Sequence, residues 1–210
     1  FKKDQLAKEL RGTNKSYILS IVRELICDML NNRFSELAMK PEATFVAAGS
    51  YYGELVKEKD AFTAVYLTKQ GQETQAYADL LLQLEGMRRY GFTNAELERV
   101  KKETIAAYEK SYNERNTMRN IAYVQEYINN YLSGEPIPGI EWEYTAIQQL
   151  LPAIDINMIN QYAHTFVTDS NLIISFQAPD DPNITLPTEV EALQMLAEVK
   201  NVEIEAPVEE

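Results

Sequence analysis

Apolar residues recur at helical spacing near the start of the chain. Ile18, Ile21, Val22, Leu25, Ile26, Met29 and Leu30 fall on one wide face, which predicts a helix over residues 15–38. Pro41 ends it or follows its end. A short apolar run over 44–51 comes next. The polar GELVKEKD then reads as a hairpin or loop, and AFTAVYLT over 61–68 as a strand. In that strand Phe62, Ala64 and Tyr66 lie on one side and Thr63, Val65 and Leu67 on the other, so both faces are expected to be partly covered. Tyr77, Leu81, Leu84 and Met87 mark a helix over about 73–90, with Gly91 as its C-cap. Thr93 and Glu96 have capping-box spacing at the start of the next helix. That helix carries Leu97, Val100, Ile105 and Tyr108 and runs or re-forms through Tyr131, with a kink near Tyr112–Asn116. SGEPIPG, 133–139, is a loop, because two prolines and two glycines sustain neither kind of ladder. Short helices follow near 141–151 and 156–167, the second with Asp155 as N-cap. NLIISFQAP, 171–179, has a strong strand pattern, 187–200 is helical, and the acidic tail NVEIEAPVEE is extended.

Few strands with helices clustered between them predict the α+β class: a two-layer sandwich, its sheet mainly antiparallel with helices packed on one face. FKKDQ reads as the end of a strand that begins upstream, so the sequence is expected to be a piece of a longer protein.

Composition narrows the function. At 210 residues, 45% of them apolar, the chain suits one domain with an appendage. A chain of this size buries about 70% of the surface its unfolded form exposes. The net charge of −12 opposes nucleic acid, whose affinity comes from Lys and Arg neutralising phosphates, and disfavours anionic membrane surfaces. The plain reading of that charge is solubility. Cys27 is the only cysteine, so no intrachain disulfide forms. On the apolar side of its helix it reads as a small core residue. No run reaches the ~18 apolar residues of a membrane span, and no signal-peptide pattern is present.

His164 is the only histidine. A zinc hydrolase site commonly needs two, so neither H-E-x-x-H nor H-x-x-E-H can form. A Cys-His nucleophile pair would require Cys27 and His164 to meet in space, and nothing local supports that. G-x-S-x-G, P-loop and G-x-G-x-x-G motifs do not occur. The carboxylate runs Glu54, Glu58, Asp60 and Glu96, Glu98, Glu103 read as solvated faces, with no isolated acidic pair in an apolar setting. Tyr108, Tyr112, Tyr123, Tyr127 and Tyr131 recur near helical spacing, as an amphipathic seam with phenol tips at water or as a wall touching a peptide or partner.

LNNRFSELAMKPEATFVAAGSYY, FTAVYLT, GFTNAELERVKKETIAAYE and NNYLSGEPIPGIEWEYTAIQQLLPAI together resemble the second, non-metal-binding domain type of the insulinase (pitrilysin) zinc metallopeptidases. In those chains the first domain carries H-x-x-E-H and the zinc, and partner domains close a chamber around the substrate. The resemblance covers about 1–180. Residues 181–210 resemble the linker and helix leading to a following domain. It implies a metallohydrolase-like fold, a zinc-bearing domain of the same chain as partner, and peptide as substrate. Zinc would sit in that first domain, with no cofactor in this segment. For a bacterial relative it implies a cell-envelope or periplasmic setting. Family members often read L-R-E-x-x-G-x-A-Y after the helix, where the arginine and tyrosine bind substrate and stabilise the tetrahedral intermediate. Here LAMKPEATF puts Ala38 (or Met39 in a slipped register) at the arginine and Phe45 at the tyrosine. Neither side chain donates a hydrogen bond, so the expectation is a chamber-forming domain without catalytic residues. Phe45, Ser50, Tyr51 and Tyr52 are the candidate chamber-facing residues. The alternative is a degenerate homologue serving as a scaffold or assembly subunit. A small hydrolase built on Cys27 and His164 stands as the third reading.

Overall fold

The structure, a computed structural model, describes residues 1–117 and 119–209, the side chain of residue 122 excepted. Helix α1, Asn14–Ala38, starts at a reciprocal cap: the Ser16 N–H donates to the Thr13 hydroxyl, and the Thr13 N–H to the Ser16 hydroxyl. Each bond satisfies a backbone donor that the first helical turn leaves unpaired. Ile21, Val22, Leu25, Ile26, Met29, Leu30 and Phe34 of α1 are buried, the face that the sequence periodicity marks.

Strands β2 (Phe45–Val56) and β3 (Lys59–Thr68) form a hairpin closed by Lys57 and Glu58. The ladder therefore extends through GELV, which reads as loop in the sequence. Ser50 lies opposite Ala64 and Tyr52 opposite Phe62, with an irregularity between Phe45 and Ala47. β1 (Lys2–Asp4) pairs antiparallel with the other edge of β3, Lys2 opposite Ala61. Among the described residues the fold is helix-rich around one small three-stranded antiparallel sheet, in the order β1-β3-β2.

The two faces of the hairpin differ. Phe45, Ala48, Ser50 and Tyr52 of β2, with Phe62, Ala64 and Tyr66 of β3, face the helices; α1 lies over β2, and α2 (Glu73–Tyr90) flanks β3. The opposite face is not covered: Val65 is 50% exposed and Leu67 63%. The expectation of two partly covered faces fails at these residues because no helix crosses that side among those described.

Gly91 caps α2 at φ 67°, a region glycine enters without steric cost. The Asn160 amide fills the space where a Cβ would point, 2.2 Å away. Asn160 accepts from the Phe92 N–H at 2.8 Å and donates to the Phe92 carbonyl at 3.0 Å. It thereby fastens α6 (Ile156–Ala163, capped by Asp155) to the turn before α3 (Asn94–Glu114). The Thr93–Glu96 capping box is present, and Glu96 also takes a two-pronged bond from Arg33 of α1, at 2.6 and 2.9 Å. α3 breaks into a 3₁₀ turn at Arg115–Thr117. α4 (Asn120–Ser133) then buries none of its described residues, and α5 (Ile140–Leu150) packs on α3.

Residues 172–179 depart from their strand pattern: among the described residues they join no ladder, although 171–177 alternate exposed and half-buried. The helix expected over 156–167 stops at Ala163. α7 (Glu189–Glu198) seats Ala192 against Tyr77 and Leu81 of α2, joined by Val199.

Candidate functional site

The hairpin offers two surfaces with chemical content. One is the uncovered face. In β2 the residues paired across to Thr63, Val65 and Leu67 are Tyr51, Gly49 and Ala47. This side thus carries small and apolar side chains beneath one phenol, Tyr51, which is 55% exposed.

The other is a cleft of about 530 Å³ at the far end of β2, walled by Arg23, Glu24 and Asp28 of α1, Tyr51 and Tyr52 of β2, and Asp60 of β3. The Arg23 guanidinium lies 4.0 Å from the Tyr52 ring centroid and 3.7 Å from the Asp60 carboxylate. Burial raises the Asp60 carboxyl and outweighs the opposing pull of Arg23. Burial likewise raises the Tyr52 phenol, so it stays protonated at neutral pH. Glu24 and Asp28 lie one turn apart on α1. Burial raises both, and for Glu24 the charges of Asp28 and Glu143 add to it. Glu24 is exposed and Asp28 half-buried, and the cleft beside them is lined mainly by polar side chains, so the pair is raised without sitting in an apolar setting. The signal for that shift was an E-x-x-x-D spacing inside the apolar helix, with Leu25 and Ile26 beside it.

Among the residues singled out from the sequence, Tyr51 alone lies on the uncovered face. Phe45 is 1% exposed and meets Phe34 edge-on, ring centroids 6.4 Å apart. Ser50 is buried; its N–H donates to Asn31 Oδ1 at 2.6 Å, and its carbonyl accepts from Asn31 Nδ2 at 3.1 Å. Tyr52 is half-buried, its ring tilted on Phe166 at 5.3 Å. Ala38 is the last residue of α1, and Met39, its C-cap, is 84% exposed. Within the tyrosine series Tyr112 stacks on Tyr144, while Tyr123, Tyr127 and Tyr131 are exposed along α4.

Cys27 and His164 are held by different partners. The Cys27 carbonyl accepts from the Ser50 hydroxyl at 3.4 Å, and burial pushes the Cys27 thiol up to about 12. A thiol at that value is not a nucleophile at neutral pH. The His164 ring rests against the Arg88 carbonyl at the end of α2. This donor set does not fit zinc: there is one imidazole in the chain, and among the described residues no three His, Cys, Asp or Glu side chains cluster to hold a metal. Nor, among the described residues, is any helix long and apolar enough to cross a membrane.

A helix-backed antiparallel hairpin followed by this run of helices is the fold of insulinase-type protease halves. The chain superposes over 95% of its length on a predicted insulinase family protease from Yersinia pestis, with TM-score 0.79 and 12% identity, covering 42% of that chain. It superposes over 99% of its length on the periplasmic protease PqqL from Escherichia coli, with TM-score 0.78 and 13% identity, covering 23% of that chain. In sequence it is 29% identical over 93 residues to a zinc protease PQQL-like protein of Arabidopsis thaliana, which is 44% of this chain and 10% of that protein. The chain therefore spans between 10% and 42% of the length of these proteases. No family profile matches it.

Proposed function

We propose that this chain is a non-catalytic, chamber-forming domain of a zinc-dependent endopeptidase, packed beside a zinc-bearing domain of the same parent chain. Peptide-bond hydrolysis by a zinc-activated water would belong to that neighbour. The likeness to long zinc proteases supports the parent's chemistry. One observation carries the role of this part: a helix-backed hairpin turns an uncovered face of Tyr51, Val65 and Leu67 outward. Apolar surface of that kind marks a place where another molecule or domain comes to rest. The phenol positions proteins use at an oxyanion need a donor at the reacting carbonyl, and Phe45 at the matching position is an apolar ring inside the core. A cell-envelope setting for the parent rests on the periplasmic PqqL likeness.

The test uses the full-length parent. Tyr51→Glu and Leu67→Glu should raise KM for long peptides several-fold while zinc content stays unchanged. A parent that hydrolyses no peptide would replace this reading with the scaffold. Loss of bound zinc in His164→Ala, with the fold intact, would place the metal in this domain and overturn it.

A further inference from the structure

A cavity of about 310 Å³ separates β3 from the extended residues Leu172–Phe176, floored by α2. That is far more than a single water needs, and much of the lining is apolar, so water alone is a poor filling.

Its geometry is that of a strand position. At one end β1 already fills the gap. Phe1 exchanges both backbone bonds with Phe62, at 2.8 and 3.0 Å, and the Lys2 N–H donates to the Asn171 carbonyl at 2.7 Å. There the gap between β3 and the 171 segment is one strand wide, because one strand occupies it. The cavity continues the same gap along Ala64 and Tyr66. Since Phe62 bonds toward β1, the alternation of an antiparallel ladder turns the N–H and C=O of Ala64 and Tyr66 to the same side. They have no backbone partner on that side among the described residues.

The far wall matches. Exposure alternates along 171–177, and Ile174 and Phe176 point inward toward Tyr77 and Tyr66. Asn171 lies beside Lys2 and Ala61, and Phe176 beside Tyr77 and Tyr66, so this segment runs parallel to β3. A strand between the two would be antiparallel to both.

We propose that this slot takes the stretch of the parent chain immediately before Phe1, which extends β1 backward and makes 171–177 a fourth strand of the sheet. Continuity with the β1 ladder selects this occupant. The register follows from Lys2 opposite Ala61 and Phe1 opposite Phe62. The second and fourth residues before Phe1 fall opposite Ala64 and Tyr66, point toward α2 and should be apolar. The third falls opposite Val65 on the uncovered face. The assignment does not depend on the peptidase reading.

The experiment uses the longer parent chain. Val65→Cys is combined with a cysteine at the third residue before Phe1. These form a non-hydrogen-bonded pair with Cα atoms about 4.5 Å apart, inside the disulfide range. Mild oxidation should give an intrachain disulfide in most molecules, read by mass spectrometry of unreduced peptides. Leu67→Cys with the same upstream cysteine should react at least tenfold less. Amide exchange in the unsubstituted parent should show Ala64 and Tyr66 protected about 100-fold or more. Fast exchange at both amides, or equal crosslinking to Val65 and Leu67, would overturn the assignment. So would an intermolecular disulfide, which points to a second copy, or protection that arises only on adding a peptide substrate.

Discussion

The two faces of the β2–β3 hairpin carry similar residue types and meet different fates. Inward, Phe45 and Phe62 are enclosed by helices and Tyr66 is half-buried; outward, Tyr51, Val65 and Leu67 are exposed. Period-2 alternation tells which residues share a face, but not what covers it. An apolar side chain contributes to stability only when it leaves water, so the two faces should answer very differently to substitution.

The sharpest break is Phe62→Ala. Phe62 is fully buried, stacks on Phe1 and tilts on Phe166, so chemical denaturation should register a loss of about 3–5 kcal/mol. Loss below about 1 kcal/mol would mean that the inner face is not the core. Phe45→Tyr comes next. A hydroxyl placed in this apolar pocket without a partner costs about 1–3 kcal/mol, and the parent's turnover should not rise. A large rise in turnover would mean that this position reaches the reacting carbonyl.

Glu24→Gln works in the other direction. Glu24 is an exposed residue whose carboxyl is partly desolvated and held above its usual value, so a small, solvent-screened contribution to stability is present below the unfolded value and lost as pH rises through the folded value. The charged form therefore opposes folding at neutral pH, and the substitution should raise the melting temperature at pH 7 more than at pH 4. Equal shifts at both pH values would refute the linkage. Glu85 supplies the contrast. Burial would raise it, but bonds from Arg88 and Arg89 at 2.6–2.7 Å outweigh that, and its carboxyl lies below the usual range. Its contribution is present above the unfolded value and lost as pH falls through the folded one. The smallest effect belongs to the outer face: Leu67→Lys should change stability by no more than about 0.5 kcal/mol.

Helices were the most legible part of this chain. α1 follows from an unbroken apolar period, and Thr93–Glu96, Gly91 and Asp155 mark ends by local chemistry that needs no distant partner. Residues 171–179 misled because a strand is defined by its neighbour: the pattern is right, but no ladder forms among the described residues. The hairpin boundary slipped because polar GELV still pairs with β3. The upward shift of Glu24 and Asp28 was hidden because partial desolvation of an acid depends on what lies across from it, here a cleft assembled from α1, β2 and β3. The free sheet face was equally invisible, since exposure is a property of the assembled layers. The likeness to insulinase-type proteases was legible from short segments, and the superpositions carry the same fold across nearly the whole chain.

Arg89 donates to the carbonyls of Val199 and Val202, at 3.1 and 2.7 Å, while Ala192 and Val199 sit against Tyr77 and Leu81. The stretch after α7 is thus clamped to α2 and is no slack tether. A tug on the backbone near Val202 would act as a lever on α2, whose Leu80 and Leu84 wall the slot beside β3.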